Sequence, residues 1–169
     1  MKRILSFAAI VTAAVGANAQ TTYDLGNFSI RGGVSFPLDS GTKDVTGNQI
    51  GLGLDYEIPK GLTPNSGTYF SIDWLGRNFS GNRGNIFPIL INERFYMGEK
   101  LEIGRRKYWF AGVGVAFIDV TKSGSAFAAR GGVGTELNRN TFAEAQFLWS
   151  TGVNDAFATG VGVYLGWRF

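Results

Sequence analysis

The sequence predicts an all-β fold, an eight-stranded antiparallel up-and-down transmembrane β-barrel. Three observations carry that expectation. Apolar and polar residues alternate with a period of two through eight successive segments, the pattern of strands with one face in apolar surroundings. The composition, with 25 Gly, 14 Phe, 6 Tyr and 4 Trp in 169 residues, suits sheet better than a helical bundle. Beyond the N-terminal segment no apolar run approaches the roughly 18 residues that mark a membrane-crossing helix.

The first nineteen residues are set aside. Lys2 and Arg3 form a basic start, residues 4–15 are apolar apart from Ser6 and Thr12, and Ala17-Asn18-Ala19 before Gln20 matches a small-residue cleavage site. Residues 1–19 therefore read as a cleaved signal peptide and residues 20–169 as one barrel domain. Without Lys2 and Arg3, sixteen basic residues become fourteen against thirteen acidic ones, a net charge of +1. That balance offers no electrostatic footprint for nucleic acid.

The strands follow in order. Residues 27–38 set Phe28, Ile30, Val34 and Phe36 against Ser29, Arg31, Gly33 and Ser35, and residues 49–58 set Ile50, Leu52, Leu54, Tyr56 and Ile58 against Gln49, Gly51, Gly53, Asp55 and Glu57. Residues 68–75 oppose Phe70, Ile72 and Trp74 to Ser71 and Asp73. Residues 85–97 oppose Ile89, Ile91 and Phe95 to Asn92 and Arg94, with Glu93 interrupting the apolar face. Residues 108–120 place Trp109, Val113, Val115 and Phe117 against Gly112, Gly114 and Ala116. Residues 125–137 place Phe127 and Val133 against Arg130, Gly134 and Glu136. Residues 141–149 set Ala143, Ala145, Phe147 and Trp149 against Glu144 and Gln146. The last segment, 157–169, alternates Val161, Val163, Leu165, Trp167 and Phe169 with Gly160, Gly162, Tyr164, Gly166 and Arg168. The connections are rich in turn residues and too short for crossover helices, so neighbours pair as antiparallel hairpins.

A soluble sandwich and a membrane barrel share this alternation. Three features favour the barrel. Segments of roughly 9 to 13 residues suit a tilted crossing of the hydrocarbon layer. Gly51, Gly53, Gly112, Gly114, Ala116, Gly160 and Gly162 on the polar face fit a narrow lumen. Aromatics such as Trp74, Trp109, Phe117, Trp149, Trp167 and Phe169 gather near the ends of the apolar faces, as in interfacial girdles.

The absence of His and Cys excludes Ser-His-Asp and Cys-His catalysis, Cys/His zinc sites, disulfides and a lipid-bearing N-terminal Cys. No cofactor, metal site or enzymatic activity is expected. The Gly-x-Gly runs lie inside strands and do not complete a phosphate-binding loop. Arg105-Arg106-Lys107 reads as an interfacial anchor to anionic headgroups. The polar faces carry Arg31, Asp55, Glu57, Asp73, Arg94, Arg130, Glu136, Glu144 and Arg168, which are expected to neutralise one another inside a barrel just wide enough for side chains to fill. Asp55 and Glu57 could also form an acid/base pair, though a polar lumen face must contain such residues anyway.

The signal peptide, the eight alternating strands and the ending Tyr164-Leu165-Gly166-Trp167-Arg168-Phe169 resemble the small bacterial outer-membrane β-barrels, the group that includes OmpX and the transmembrane domain of OmpA. The resemblance implies an outer-membrane location reached by secretion across the inner membrane. It also implies that Tyr164, Gly166, Trp167 and Phe169 are read by the barrel-assembly machinery. Both termini would then face the periplasm. The connections at 39–47, 76–84, 121–124 and 150–154 would face outward, short and polar, and Arg77, Asn78, Phe79, Asn82 and Arg83 would be the residues to meet an extracellular ligand or surface partner. The expected role is envelope integrity, adhesion or recognition. The alternatives are a narrow pore for ions or small solutes and a secreted soluble barrel with an apolar ligand inside.

Overall fold

The computed structural model describes residues 27–58, 60–77, 84–97 and 105–169. Within them the period-two alternation becomes β1 (Phe28–Pro37), β2 (Gln49–Ile58), β3 (Ser66–Gly76), β4 (Asn85–Met97), β5 (Lys107–Asp119), β6 (Ser123–Glu136), β7 (Thr141–Ser150) and β8 (Gly160–Arg168). Each strand pairs antiparallel with the next, and β8 returns to β1 from Ser29↔Arg168 to Pro37↔Gly160. The sheet is a closed eight-stranded barrel, and closure removes every free edge. Both described termini, Asn27 and Phe169, lie at one end, here the terminal end; the other is the capped end.

Strand limits agree with the sequence at β2 and β4 and shift elsewhere. The largest shift is at β8, which begins at Gly160 because the segment before it turns back on itself. Val153 N donates to Ala156 O at 2.7 Å and Ala156 N to Val153 O at 3.1 Å. Asn154 and Asp155 between them have φ of 46° and 65°, the left-handed pair of a tight hairpin turn.

The connection at 39–47, which its turn residues mark as a short polar loop, is instead partly helical. It holds a short helix, α1 (Ser40–Thr46), because Asp39 caps it by accepting from Thr42 N at 2.7 Å and Gly47 ends it at φ 58°. Thr42 and Thr46 are buried in the barrel mouth. Thr42 Oγ1 donates to Phe157 O at 2.8 Å and accepts from Phe157 N at 3.2 Å, tying α1 to the segment before β8.

The outer surface is an apolar belt in which Ile30, Val34, Leu52, Ile91, Val113, Phe127, Val163 and Leu165 are exposed. Aromatic residues edge it. At the terminal end Phe95 stacks on Trp109 at 4.0 Å and Phe28 meets Tyr56 at 4.9 Å; at the capped end Phe127 meets Trp149 edge-on at 6.3 Å. Trp74 departs from the girdle expected of it: only 8% exposed, it donates from Nε1 to Asn85 Oδ1 at 2.9 Å. Glu93, which interrupts the β4 face, is also covered. Its Oε1 accepts from Leu62 N at 2.7 Å and its Oε2 from Thr68 Oγ1 at 2.6 Å, so it caps the β2–β3 turn.

The interior has two zones. Toward the capped end Leu75, Ile86, Leu90, Ile118 and Leu148 form an apolar cluster with Ala116, Ala128, Ala156 and Ala158. Polar side chains, with the inward rings of Phe110 and Phe142 beneath the arginines, fill the rest. The polar lumen read from the sequence thus fills the terminal part, while the capped part mixes this apolar cluster with buried Ser35, Gln49 and Ser150. There the inward positions of β3, β4, β5 and β7 include Leu75, Ile86, Leu90, Ile118 and Leu148, and α1 and the 153–156 hairpin lie over them.

Candidate functional site

Alternation sends one residue in two inward, and closure brings inward residues from distant strands to the same level. Arg31 on β1 shows the result. Its Nη2 donates to Asp73 Oδ1 at 2.8 Å and Oδ2 at 3.0 Å, and its Nη1 donates to Gln146 Oε1 at 3.0 Å and Glu144 Oε2 at 3.4 Å. Its Nε lies 3.4 Å from Asp55 Oδ2. Arg130 on β6 reaches the same Asp73 with Nη1 at 2.8 Å, and its Nη2 donates to Asn92 Oδ1 at 2.8 Å and Ser71 Oγ at 3.0 Å.

Nearer the terminal end Arg94 sits over the rings of Tyr69 at 4.5 Å and Tyr108 at 4.9 Å. Its guanidinium also reaches Glu144 at 3.4 Å and Glu57 at 3.6 Å. Tyr108 OH donates to Glu144 Oε1 at 2.9 Å. At the mouth Glu136 accepts from Arg106 Nη2 at 2.8 Å and Arg168 Nη1 at 2.7 Å, while Arg106 lies 3.8 Å over the Tyr96 ring. Glu57, its side chain 38% exposed, marks where the network meets solvent.

The nine polar-face residues named from the sequence lie on the inward side in two groups: Arg31, Arg94 and Arg130 with Asp55, Glu57, Asp73 and Glu144 in the lumen, and Arg168 with Glu136, joined by Arg106, at the mouth. Five arginines, at 31, 94, 106, 130 and 168, meet five carboxylates, at 55, 57, 73, 136 and 144, so the formal charges cancel. Asp55 and Glu57 do not act as a pair, because each is claimed by a different arginine. Tyr69, Tyr108, Ser71, Asn92 and Gln146 also belong to the network. Their inward parity is readable from the strands, Tyr69 standing two residues before Ser71 and Tyr108 four before Gly112. Among the described residues no group of three His, Cys, Asp or Glu is arranged to hold a metal.

Of the four residues in the terminal motif, two face in and two face out. Tyr164 is buried against Gly33, Gly51 and Gly162, each of which would clash with its ring if it carried a Cβ. Gly166 lies under the ring of Phe142, where a Cβ would strike Cζ. Trp167 and Phe169 are exposed on the outer face, and Phe169 N donates to Phe28 O at 3.1 Å. Of the loop residues, Arg77 is exposed, its guanidinium beside Gly47 at the end of α1; Asn78, Phe79, Asn82 and Arg83 lie outside the described residues, as does the signal peptide.

Fold and interior together define a small closed antiparallel barrel, apolar outside and filled inside. Solved structures of the same fold exist. The N-terminal β-barrel domain of Pseudomonas aeruginosa OprF matches with a TM-score of 0.50 at 15% identity, over 85% of this chain and 98% of that one. Neisserial surface protein A, NspA, matches with a TM-score of 0.50 at 8% identity, over 85% and 97%. Ail, the attachment invasion locus protein of Yersinia pestis, gives 0.49 at 18% identity, over 85% and 99%. At such identities the likeness is one of fold. No family model and no curated protein matches the sequence.

Proposed function

We propose that this chain is an integral protein of a bacterial outer membrane with a structural or surface-interaction role, exported with residues 1–19 as a cleaved signal peptide. The observation that carries the reading is an apolar-skinned barrel plugged at its capped end. The apolar belt and its aromatic edges fit a bilayer with interfaces at both ends. The plug favours a filled wall over a pore. An ion crossing the barrel would part the Arg–carboxylate network and then shed its water against Leu90, Ile86 and Ile118.

Interaction is then left to the capped end. Lys43, Asp44 and Val45 of α1, Thr121, Lys122 and the hairpin tip Asn154-Asp155 are exposed there on a platform held by Thr42. In this placement the terminal end, where Asn27 and Phe169 lie, faces the periplasm and the capped end faces the cell exterior. The β8 residues Tyr164, Gly166, Trp167 and Phe169 are the ones the barrel-assembly machinery would read.

The test is to fractionate the native host, extract the membrane pellet with detergent, compare electrophoretic mobility before and after boiling, and record conductance in planar bilayers. A boiling-dependent shift in outer-membrane material with no conductance steps is expected. Recovery in a soluble fraction would overturn the membrane placement, and steady conductance steps would replace the structural reading with a pore.

A further inference from the structure

The outward positions of β1 run Phe28, Ile30, Gly32, Val34 and Phe36, so one position of the apolar belt has no side chain. Gly32 pairs with Leu52 on β2 and with Leu165 on β8. A Cβ built there would meet only Leu52 Cδ2, at 3.6 Å, so the backbone floor is open from outside. The result is a cleft of about 660 Å³ along the seam where the last strand closes on the first, walled by Ile30, Leu52, Leu54, Leu165 and Trp167.

We propose that this cleft retains one acyl chain of a membrane lipid. Its size is in the range of ligand sites, roughly 300–1,000 Å³. Every side chain that walls it is apolar, with Trp167 at the terminal edge of the belt, the level of lipid headgroups. The occupant must therefore be apolar, slender and supplied by the bilayer. A flat stretch of the same belt shows the contrast. Gly131 on β6 also faces out, a Cβ there meeting only Phe110 O at 3.8 Å, but it pairs with Ala111 on β5, so one wall is missing.

The inference rests on the membrane placement proposed above, which the boiling-dependent gel shift reports separately. The experiment is native mass spectrometry of the full chain folded in dioleoylphosphatidylcholine bilayers and released into detergent, repeated with dioleoylphosphatidylglycerol and with a short-chain phosphatidylcholine. One retained lipid per barrel is expected with either long-chain headgroup and not with the short chain. Gly32→Leu should fill the cleft and lower retention about tenfold or more, since each lost methylene contact weakens apolar binding several-fold. Leu165→Ala, which lowers one wall, should act in the same direction, while Gly131→Leu should leave retention unchanged.

With the gel shift intact, absence of a retained lipid, retention that survives both cleft variants, or retention that follows headgroup rather than chain length each overturns the proposal. So does a dimer that Gly32→Leu abolishes, since the cleft would then pack a second copy of the chain. Recovery of the chain as a soluble protein without the shift overturns it together with the membrane placement.

Discussion

Arg31 and Asp73 meet across an intervening strand, with Nη2 2.8 Å from Oδ1 and 3.0 Å from Oδ2. The residue between them is Gly53 of β2, where a Cβ would strike both Asp73 Oδ1 and Arg31 Nε. A glycine on the lumen face is thus a passage for a neighbour's side chain. Asp73 takes a second arginine at 2.8 Å, Arg130, so two buried cations share its carboxylate at the shortest distances either makes.

Asp73→Asn should therefore be among the most damaging single substitutions in the barrel. It keeps the shape but takes from Arg130 the carboxylate at 2.8 Å and leaves Arg31 only Asp55 and Glu144 at 3.4 Å, and breaking a buried ion pair costs about 3–5 kcal/mol. Urea unfolding in lipid vesicles measures this as a lowered midpoint. Raising the salt concentration should move neither the wild-type nor the variant midpoint much, because these side chains are screened little by ions outside. A small effect of Asp73→Asn would mean that Gln146 and Asn92 carry the arginines without it.

Gly166 separates two explanations of the terminal motif. If the glycine matters only because the assembly machinery reads it, Gly166→Ala should fold normally in purified lipid. The structure gives a prior reason, since a Cβ there collides with the Phe142 ring. Spontaneous folding should already suffer, with a cost of about 1–3 kcal/mol for overpacking. Adding Phe142→Leu should recover part of it, and a double-mutant cycle measures the coupling.

The strands and their inward faces are legible because both are consequences of period two, and the barrel is legible from eight strands joined by short connections. Every charged residue expected on the inward side is there because of that period. What the sequence concealed depends on contacts between levels of the barrel. Inward Leu75, Ile86, Leu90, Ile118 and Leu148 share parity with the polar network, so alternation separates inside from outside but does not tell one end of the inside from the other. The helix α1 was hidden by its length, since seven residues of Ser, Gly, Thr, Lys, Asp and Val read as turn unless Asp39 is recognised as a cap.

Glu93 shows how a residue that breaks a pattern can serve the turn beside it. Its carboxylate holds Leu62 N and Thr68 Oγ1, so Glu93→Ala frees the β2–β3 turn while leaving the ladder intact. Hydrogen bonds to a charged group contribute roughly 1.5–3 kcal/mol each. Hydrogen exchange at the Leu62 amide should quicken accordingly, with little change at inward amides of β4. Unchanged exchange at Leu62 would show that the turn is fixed by other contacts.

Thr42 decides whether the capped end is sealed by its lid or by its core. The hydroxyl both donates to and accepts from the backbone of Phe157, and it is the direct tie between α1 and the segment before β8. Thr42→Val removes both bonds and leaves the Phe157 N–H and C=O without those partners, a local cost of about 1–3 kcal/mol. Amides of α1 and Phe157 should exchange faster, while the global unfolding midpoint moves little, because the apolar cluster beneath does not include Thr42. Conductance should stay absent, since Leu90, Ile86 and Ile118 still close the barrel below the loosened lid. Steps of conductance in Thr42→Val would move the seal from that cluster to α1 and make the capped end a gate.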